Sequence, residues 1–392
     1  MFKVIATGAV RTPIGELSGS FSNTSAVELG VCSAKASLKL SGIQAKDIDE
    51  VVFGNVLQCG QGQNPARQIS IGADIPQEIP AYTVNKVCGS GMKAVELGWQ
   101  NILLNRSKAV LAGGTENMTM APYLLPAMRL GSRLGDSSVI DSVVLDGLTD
   151  VFGKYHMGIT AENIAERYDI SREEQDEFAL NSHKKYAAAF SKGLFKDEIT
   201  DVTIKVKRKD KRVDTDEHPR LDITLEGLGK LRPAFKKDGT VTAGNASGIN
   251  DAGTSLVLAS EGIFSGLNTE KAVVVRDFAS CGCSPEVMGL GPVGAVNKLL
   301  KNNNLTVKDI KLWELNEAFS VQALAVVHDL RINPEIVNVN GGAVSLGHPI
   351  GASGARIMVT LIHEMKRSGV DLAVASLCIG GGMGIAVLLE NL

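Results

Sequence analysis

Residues 84–94 read VNKVCGSGMKA, an apolar run that ends at Cys88 and continues into a glycine-flanked stretch with helical character. The pattern predicts that Cys88 lies at the N-terminus of a helix. Unpaired backbone N–H groups and the positive end of the helix dipole stabilise a thiolate there, so we expect the pKa of Cys88 to fall below about 8.5. Since a thiolate is the stronger nucleophile, the stretch predicts a reactive cysteine.

Three further polar segments interrupt apolar sequence in the C-terminal third of the chain. They are NEAF at 316–319, GHPIG at 347–351 and CIGGGMG at 378–384. Together with the Cys88 segment they offer a nucleophile, an imidazole, a second thiol and glycine amides able to hold an oxyanion. The combination predicts covalent chemistry at a cysteine.

The composition fits a well-packed enzyme and excludes several other classes of protein. The chain has 392 residues, of which 44% are apolar, and a mean hydropathy of +0.08. Its 40 basic and 43 acidic side chains give a net charge of -3, which favours neither nucleic acid nor an anionic membrane as a partner. No apolar run approaches the roughly 20 residues of a membrane span, and the N-terminal sequence lacks the pattern of a signal peptide. We therefore expect a cytoplasmic protein.

The six cysteines follow neither a disulfide framework nor the paired spacing of zinc ligands. Cys281 and Cys283 are separated by one residue, which could indicate a metal or redox pair, but no histidine accompanies them in the sequence. We expect this pair to be inert, the cysteines to be reduced and the protein to hold no metal ion.

An internal repeat divides the chain into two related halves. Leu38-Lys39 and Lys46-Asp47-Ile48 recur as Leu300-Lys301 and Lys308-Asp309-Ile310, at a common offset of 262 residues. Each copy leads into a predicted strand, a loop, a helix, a strand and paired glycines. These elements are predicted at 81–84, the Cys88 loop, 89–104 and 109–112, and again at 336–339, the His348 loop, 351–366 and 372–377. A chance match is the alternative, but the repeated order predicts that the nucleophile of one half faces the imidazole of the other.

Helices that alternate with short apolar strands favour an α/β fold with layered, mostly parallel sheets and ligands beyond the strand ends. Residues 115–249 fit neither copy, so we expect an N-terminal half at 1–114, an inserted loop domain at 115–249 and a C-terminal half at 250–392. Within the insertion, a helical stretch is predicted over 159–189 with caps at Thr160 and Ser171. Its basic segment, 205–212, fits an edge strand guarded against aggregation or, alternatively, a contact for phosphate groups.

The motifs, read at full length, resemble the signatures of the thiolases. The resemblance rests on VCGSGMKA at 87–94, GGAVSLGHPIGASGAR at 341–356, NEAF and CIGGGMG, with GNASGIND at 244–251 and YHMG at 155–158. It covers essentially the whole chain and implies the five-layered α-β-α-β-α thiolase fold with duplicated halves. It also implies the branch of the family that condenses two acetyl-CoA molecules to acetoacetyl-CoA and catalyses the reverse thiolysis, with no cofactor beyond these coenzyme A thioesters.

The same resemblance implies a role for each residue of the reaction centre. Cys88 would accept the acetyl group, and His348 would activate Cys88 and then donate its ring N–H to the second substrate. Cys378 would remove a proton from the methyl group of that substrate. Asn316 would hold a water beside the enolate oxygen, and the backbone N–H groups of Cys88 and Gly380 would form a second oxyanion hole.

The insertion, by the same resemblance, would supply much of the coenzyme A site. The implied contacts are Ser247 with the pantetheine amides, Arg220 near the nucleotide, and His156, Met157 and Phe319 beside the acyl end. A histidine at position 156 favours a two-carbon acyl unit. The resemblance further implies a homotetramer, in which residues 121–133 make contacts between dimers; the alternative is a loop that covers its own subunit.

Other functions fit the sequence less well. A ketoacyl synthase would need two histidines beside the cysteine, whereas this chain offers one histidine and a second cysteine. A Cys/His hydrolase gives no reason for Cys378, and a binding protein that retained the fold would be expected to carry a broken motif. The sequence does not set the physiological direction of the reaction.

Overall fold

The computed structural model describes residues 3–262 and 266–392. The strands are β1 (Val4–Arg11), β2 (Gly15–Glu16), β3 (Glu50–Gly54), β4 (Ala81–Val84), β5 (Ala109–Asn117), β6 (Tyr123–Leu124), β7 (Ile140–Asp141), β8 (Val202–Val206), β9 (Lys209–Val213), β10 (Asn250–Ser260), β11 (Val273–Gly282), β12 (Leu312–Leu315), β13 (Leu372–Ile379) and β14 (Met383–Asn391). The α-helices are α1 (Ala26–Ser41), α2 (Pro65–Gly72), α3 (Ser90–Leu103), α4 (Met157–Tyr168), α5 (Arg172–Ser191), α6 (Leu225–Gly229), α7 (Gly291–Asn302), α8 (Ser320–Leu330), α9 (Ala343–Leu346) and α10 (Ile350–Ser368). Among these helices none is long and apolar enough to cross a membrane.

The main sheet joins the two halves edge to edge. Its order is β12-β13-β14-β11-β1-β10-β5-β3-β4, with β2 beside β10, and the antiparallel β1–β11 pair links the halves. Only β3–β4, β3–β5 and β12–β13 are parallel, so the prediction of a mostly parallel sheet is wrong. The physical reason is visible at β13 and β14, because a connection of three residues can join only antiparallel strands.

The helices form three layers around the two halves of the sheet. One apolar core lies between α1, α2 and the first half, and another lies between α7, α8 and the second half. The largest core is central, where α3 and α10 pack between the inner faces of both halves. The predicted five-layered α-β-α-β-α arrangement is therefore confirmed.

The central helix pair shows the duplication most closely. Cβ atoms on Gly91 of α3 would lie 3.0 Å from the carbonyl oxygen of Gly351 and 2.8 Å from the amide of Ala355 in α10. Reciprocally, a Cβ on Gly354 of α10 would lie 2.5 Å from the amide of Met92 in α3. The two glycines are 263 residues apart in the sequence, one more than the offset read from the repeat. Each helix thus uses the same glycine to approach its counterpart.

Several local predictions need correction. The predicted strand at 336–339 is a 3₁₀ turn followed by a single bridge between Val337 and Trp313, because the side chain of Asn338 bonds the N–H and the carbonyl of Leu315, where a longer strand would pair. The helical stretch at 159–189 is two helices: Ser171 caps α5 as predicted, but His156 rather than Thr160 caps α4. The basic segment forms the hairpin β8–β9, in agreement with an edge strand.

The pairing of strand β10 bears on the boundary between the two halves of the chain. It pairs with β1 and β5, so it completes the sheet of the first half rather than starting the second. We therefore propose that the boundary between the halves follows Ser260 instead of preceding Asn250.

Candidate active site

A cavity of about 390 Å³ opens where the loops after β4 and β13, the start of α10 and the insertion meet. Most residues predicted for catalysis or coenzyme A binding line it, namely Cys88, His156, Met157, Arg220, Ser247, Phe319, His348 and Gly380. Cys378 and Asn316 are buried and do not line the cavity. The duplicated halves therefore bring the predicted thiol and imidazole into one space.

The turn that carries Cys88 is held tightly. Ser90 accepts a hydrogen bond from the backbone N–H of Lys86 at 2.8 Å and donates to the carbonyl of Val87 at 2.6 Å. Val87 has φ +48°, a left-handed conformation that is rare and unfavourable for a β-branched residue. Helix α3 starts two residues after Cys88, as predicted. A strained residue directly before the thiol indicates that the surrounding structure fixes the direction of that thiol.

The predicted acidity of Cys88 is wrong in direction. Burial raises the pKa of its thiol to about 11, and the charge of Glu116 adds to the effect. The backbone N–H groups of Gly380 and of Cys88 itself act in the opposite direction but do not outweigh burial. Cys88 is consequently a thiol at neutral pH, and it needs a base when it attacks.

His348 lines the same cavity as Cys88, and its imidazole has the chemistry of a base. Its backbone N–H donates to Asn250 at 3.0 Å, and its Nδ1 lies 2.6 Å from the hydroxyl of Ser353. Ser353 donates its one proton to the carbonyl of Pro349 at 2.9 Å, so we assign Nδ1 as protonated and as the donor to Ser353. Within the described residues, the other ring nitrogen, Nε2, is buried without a hydrogen-bond partner. It is therefore an available acceptor at the cavity.

The electrostatics of His348 suit this role. Burial, and in second place the positive charge of Arg356, lower its pKa to about 3. The imidazole is neutral at pH 7 and can take a proton, but the resulting cation is a strong acid that returns it readily.

The second thiol, that of Cys378, lies close to the first and is fully buried. Burial raises the pKa of Cys378 well above its usual value, and the neighbouring Cys88 raises it further. Asn316 follows β12, and its side-chain amide nitrogen lies 3.5 Å from Nδ1 of His348. Its carbonyl oxygen, Oδ1, is buried without a partner among the described residues. Four of the predicted groups, Cys88, Cys378, Asn316 and His348, are thus close together.

The insertion forms the opposite wall. His156 accepts a hydrogen bond at Nδ1 from the N–H of Gly158 at 3.0 Å and stacks on Phe235 at a centroid distance of 4.6 Å. Phe235 in turn meets the edge of Phe319 at 6.2 Å. Ser247 is anchored through its N–H to the carbonyl of Ala318 at 3.0 Å. The cavity wall thus combines apolar and aromatic side chains, such as Met157 and Phe235, with the polar Ser247 and Arg220.

Two wall residues, Phe235 and His218, were missed by the sequence analysis. Phe235 lies over Gly158, where an added Cβ would come within 2.1 Å of its ring, and no sequence motif marked it. His218 packs against Gly248 and Asn250 beside the cavity, and burial lowers its pKa to about 4. Its position two residues before Arg220 is the signal that could have identified it.

Known proteins match the chain along its whole length. Residues 4–262 match the family model described as "Thiolase, N-terminal domain", and residues 269–391 match "Thiolase, C-terminal domain". A Staphylococcus aureus (strain COL) protein named probable acetyl-CoA acyltransferase is 50% identical over 392 residues, 100% of each chain. The crystal structure of the Bacillus anthracis acetyl-CoA acetyltransferase is similar with a TM-score of 0.97 at 44% identity, covering 100% of this chain and 99% of that one. The structure of human mitochondrial 3-ketoacyl-CoA thiolase has the same TM-score and coverage at 42% identity.

Proposed function

This chain belongs to the thiolase family of acyltransferases, and on that premise we propose that it condenses two acetyl-CoA molecules to acetoacetyl-CoA and coenzyme A and catalyses the reverse thiolysis. The observation that carries the proposal is the shared cavity of Cys88 and His348, together with a buried Cys378 close enough to Cys88 to interact with it electrostatically. A hydrolase or a simple binding site has no use for the second thiol.

The first half-reaction transfers acetyl to Cys88. Nε2 of His348 takes the thiol proton as the sulfur attacks the thioester carbon, and the bond to the coenzyme A sulfur breaks. Cys378 gives its proton to the departing thiolate, so free coenzyme A leaves as a thiol. The site then holds acetyl-Cys88, a Cys378 thiolate and a protonated His348, whose opposite charges stabilise each other, so that His348 holds here a proton that it would lose in the resting site.

The second half-reaction forms the carbon–carbon bond. The Cys378 thiolate removes a methyl proton from the second acetyl-CoA, while protonated His348 and a water on Asn316 stabilise the enolate oxygen. The enolate carbon attacks acetyl-Cys88, and the N–H groups of Cys88 and Gly380 hold the tetrahedral oxyanion. Its collapse releases acetoacetyl-CoA, and the Cys88 thiolate recovers the proton from His348.

The stacked pair of His156 and Phe235, which lines the cavity together with Met157, supports acetyl as the preferred acyl group, because two rings in the wall leave less room for a longer acyl chain. The likeness to a 3-ketoacyl-CoA thiolase makes a longer acyl chain the competing possibility. An enzyme for acetyl groups and an enzyme for longer acyl chains differ only in how much space lies beyond the reacting carbons.

A homotetramer remains part of the proposal. The segment around 121–133 and its neighbours exposes a group of large apolar side chains, which is typical of a subunit contact. They are Met120, Tyr123, Leu125, Met128, Leu130 and Leu134. Sedimentation of the full chain at micromolar concentration is expected to show a tetramer, and a monomer would contradict this part.

The test of the function is thiolysis measured with acetoacetyl-CoA, 3-ketohexanoyl-CoA and a long-chain 3-ketoacyl-CoA. We expect cleavage only when free coenzyme A is supplied, the highest kcat/KM with acetoacetyl-CoA, and no activity in Cys88→Ser. Equal or better rates with the long-chain substrate would refute the short-chain assignment. Cleavage without coenzyme A would indicate a hydrolase.

A further inference from the structure

Helix α10 carries a buried polar stripe that the proposed chemistry does not use. Ser353, Arg356, Thr360 and His363 follow at spacings of three and four residues and therefore share one face of the helix. All are buried although the rest of the helix is largely apolar. The stripe begins at the serine that holds His348.

Among the residues of the stripe, Arg356 is the most costly to bury, because its side chain is charged. Its guanidinium Nη1 lies 3.1 Å from Oε1 of Glu314 on β12, and the two side chains are 1% and 5% exposed. Among the described residues, Nε and Nη2 of this arginine find no hydrogen-bond partner. Burial raises the pKa of Glu314 to about 8, although the charge of Arg356 acts in the opposite direction, and a buried pair with unpaired donors often adds no stability over well-packed apolar side chains of similar volume. Fold stability alone therefore gives no reason for an arginine here.

The positions of the two residues suggest a reason. Arg356 lies one turn after Ser353, whose hydroxyl is 2.6 Å from Nδ1 of His348. Glu314 lies two residues before Asn316, and its strand is buried along its length. The ion pair is thus a polar contact between the segment that holds the imidazole and the segment that holds the amide.

We propose that the Arg356–Glu314 pair is a positioning element of the reaction, which fixes His348 on α10 relative to Asn316 on β12. This inference rests on the proposed function, in which both groups act on one enolate oxygen. Apolar contacts have no preferred direction, whereas a hydrogen bond between a guanidinium and a carboxyl group requires a defined distance and angle. A misplacement of about 1 Å in such a site can cost about 100-fold in rate.

The test separates positioning from folding by using a paired replacement. Arg356→Met alone leaves a buried carboxylate without its partner and is expected to unfold easily. The double variant Arg356→Met with Glu314→Leu removes both charges and is expected to melt close to the wild type. We expect it to acetylate Cys88 at a rate within about threefold of wild type but to exchange the acetyl-CoA methyl protons with deuterated water at least tenfold more slowly.

Arg356→Lys and Glu198→Gln complete the experiment. Arg356→Lys retains the charge and is expected to recover part of the exchange. Glu198 is an equally buried carboxylate, bound to Arg11 at 2.7 Å and to Thr360 of the stripe at 3.2 Å, so its replacement is a matched control. Glu198→Gln is expected to leave the ratio of exchange to acetylation unchanged.

The outcomes distinguish the two proposals. A folded double variant with an unchanged ratio, or a control that shifts the ratio equally, would overturn the positioning role. If the double variant does not fold, the ratio of methyl exchange to acetylation is measured in Arg356→Lys instead. If this variant is less stable than the wild type but has the same ratio, the positioning role is wrong. A wild-type protein that neither acetylates Cys88 nor exchanges methyl protons would refute the proposed function itself.

Discussion

The turn before α3 and the turn before α10 are counterparts in the two halves, yet they position different side chains, a thiol in the first and an imidazole in the second. Both helices carry Ser-Gly-x and a basic residue in or just after their first turn, at Ser90 to Lys93 in α3 and at Ser353 to Arg356 in α10. Before α3, a valine with φ +48° directs a thiol into the cavity. Before α10, Gly347 takes φ +104° and His348 is buried.

The two serines show how the counterparts diverged. Ser90 bonds only the backbone of its own turn, at Lys86 and Val87. Ser353 bonds the backbone at Pro349 in the same manner but also contacts the imidazole. The comparison shows that both copies of a duplicated turn can keep the serine hydrogen bond to the backbone, while the serine of one copy also contacts a functional side chain.

The largest expected effect is at the imidazole. His348→Ala removes the acceptor for the Cys88 proton and the donor to the enolate oxygen, so both half-reactions are expected to fall by about 1000-fold or more. Acetylation of Cys88 and exchange of the methyl protons measure them separately. If either half-reaction proceeds at a near-normal rate, the shared role of His348 is wrong.

An intermediate effect distinguishes the two serines. Ser353→Ala leaves Nδ1 of His348 without its partner and frees the ring to rotate, so we expect kcat to fall by roughly 10- to 100-fold. Ser90→Ala loses only backbone contacts, and we expect a loss of stability of about 1 kcal/mol with a smaller change in kcat. Steady-state thiolysis and thermal melting of both variants test the contrast, which equal losses of kcat would contradict.

The residues with positive φ are compared through the free energy of unfolding. Gly347→Ala is expected to destabilise by roughly 2 to 4 kcal/mol, because its Cβ would lie 2.4 Å from the side chain of Asn250. Val87→Gly relieves backbone strain while losing apolar contacts, so its free energy of unfolding is expected to stay within about 1 kcal/mol of wild type. Denaturant unfolding compares the two, and a strongly destabilised Val87→Gly would show that the valine is held by packing rather than strained.

Local sequence patterns predicted what local physics determines. The start of α3 beside Cys88, the strand at 81–84 and the cap at Ser171 follow from periodicity and capping, and the structure confirms them. The acidity of Cys88 was predicted in the wrong direction, because the helix end is visible in the sequence whereas the burial that raises the pKa arises only in the folded chain, where the N–H of Gly380 opposes it without outweighing it.

Tertiary contacts account for most of what the sequence analysis missed. Arg356 and Glu314 are 42 residues apart, and nothing in either segment marks them as partners. The sequence gives no reason to single out Phe235 among the aromatic residues of the insertion, and only the structure shows that it stacks on His156. The repeat did predict that Cys88 and His348 lie together, since each follows the same position in its half.

The central claim is a division of labour between two thiols, and one measurement on Cys378→Ala tests it most directly. The variant is incubated with acetyl-CoA in deuterated water, peptide mass spectrometry locates the acetyl group, and NMR follows the methyl protons. The account predicts acetyl on Cys88 together with loss of methyl exchange, because no other base replaces Cys378. Methyl exchange at the wild-type rate, or acetyl on a residue other than Cys88, would contradict it.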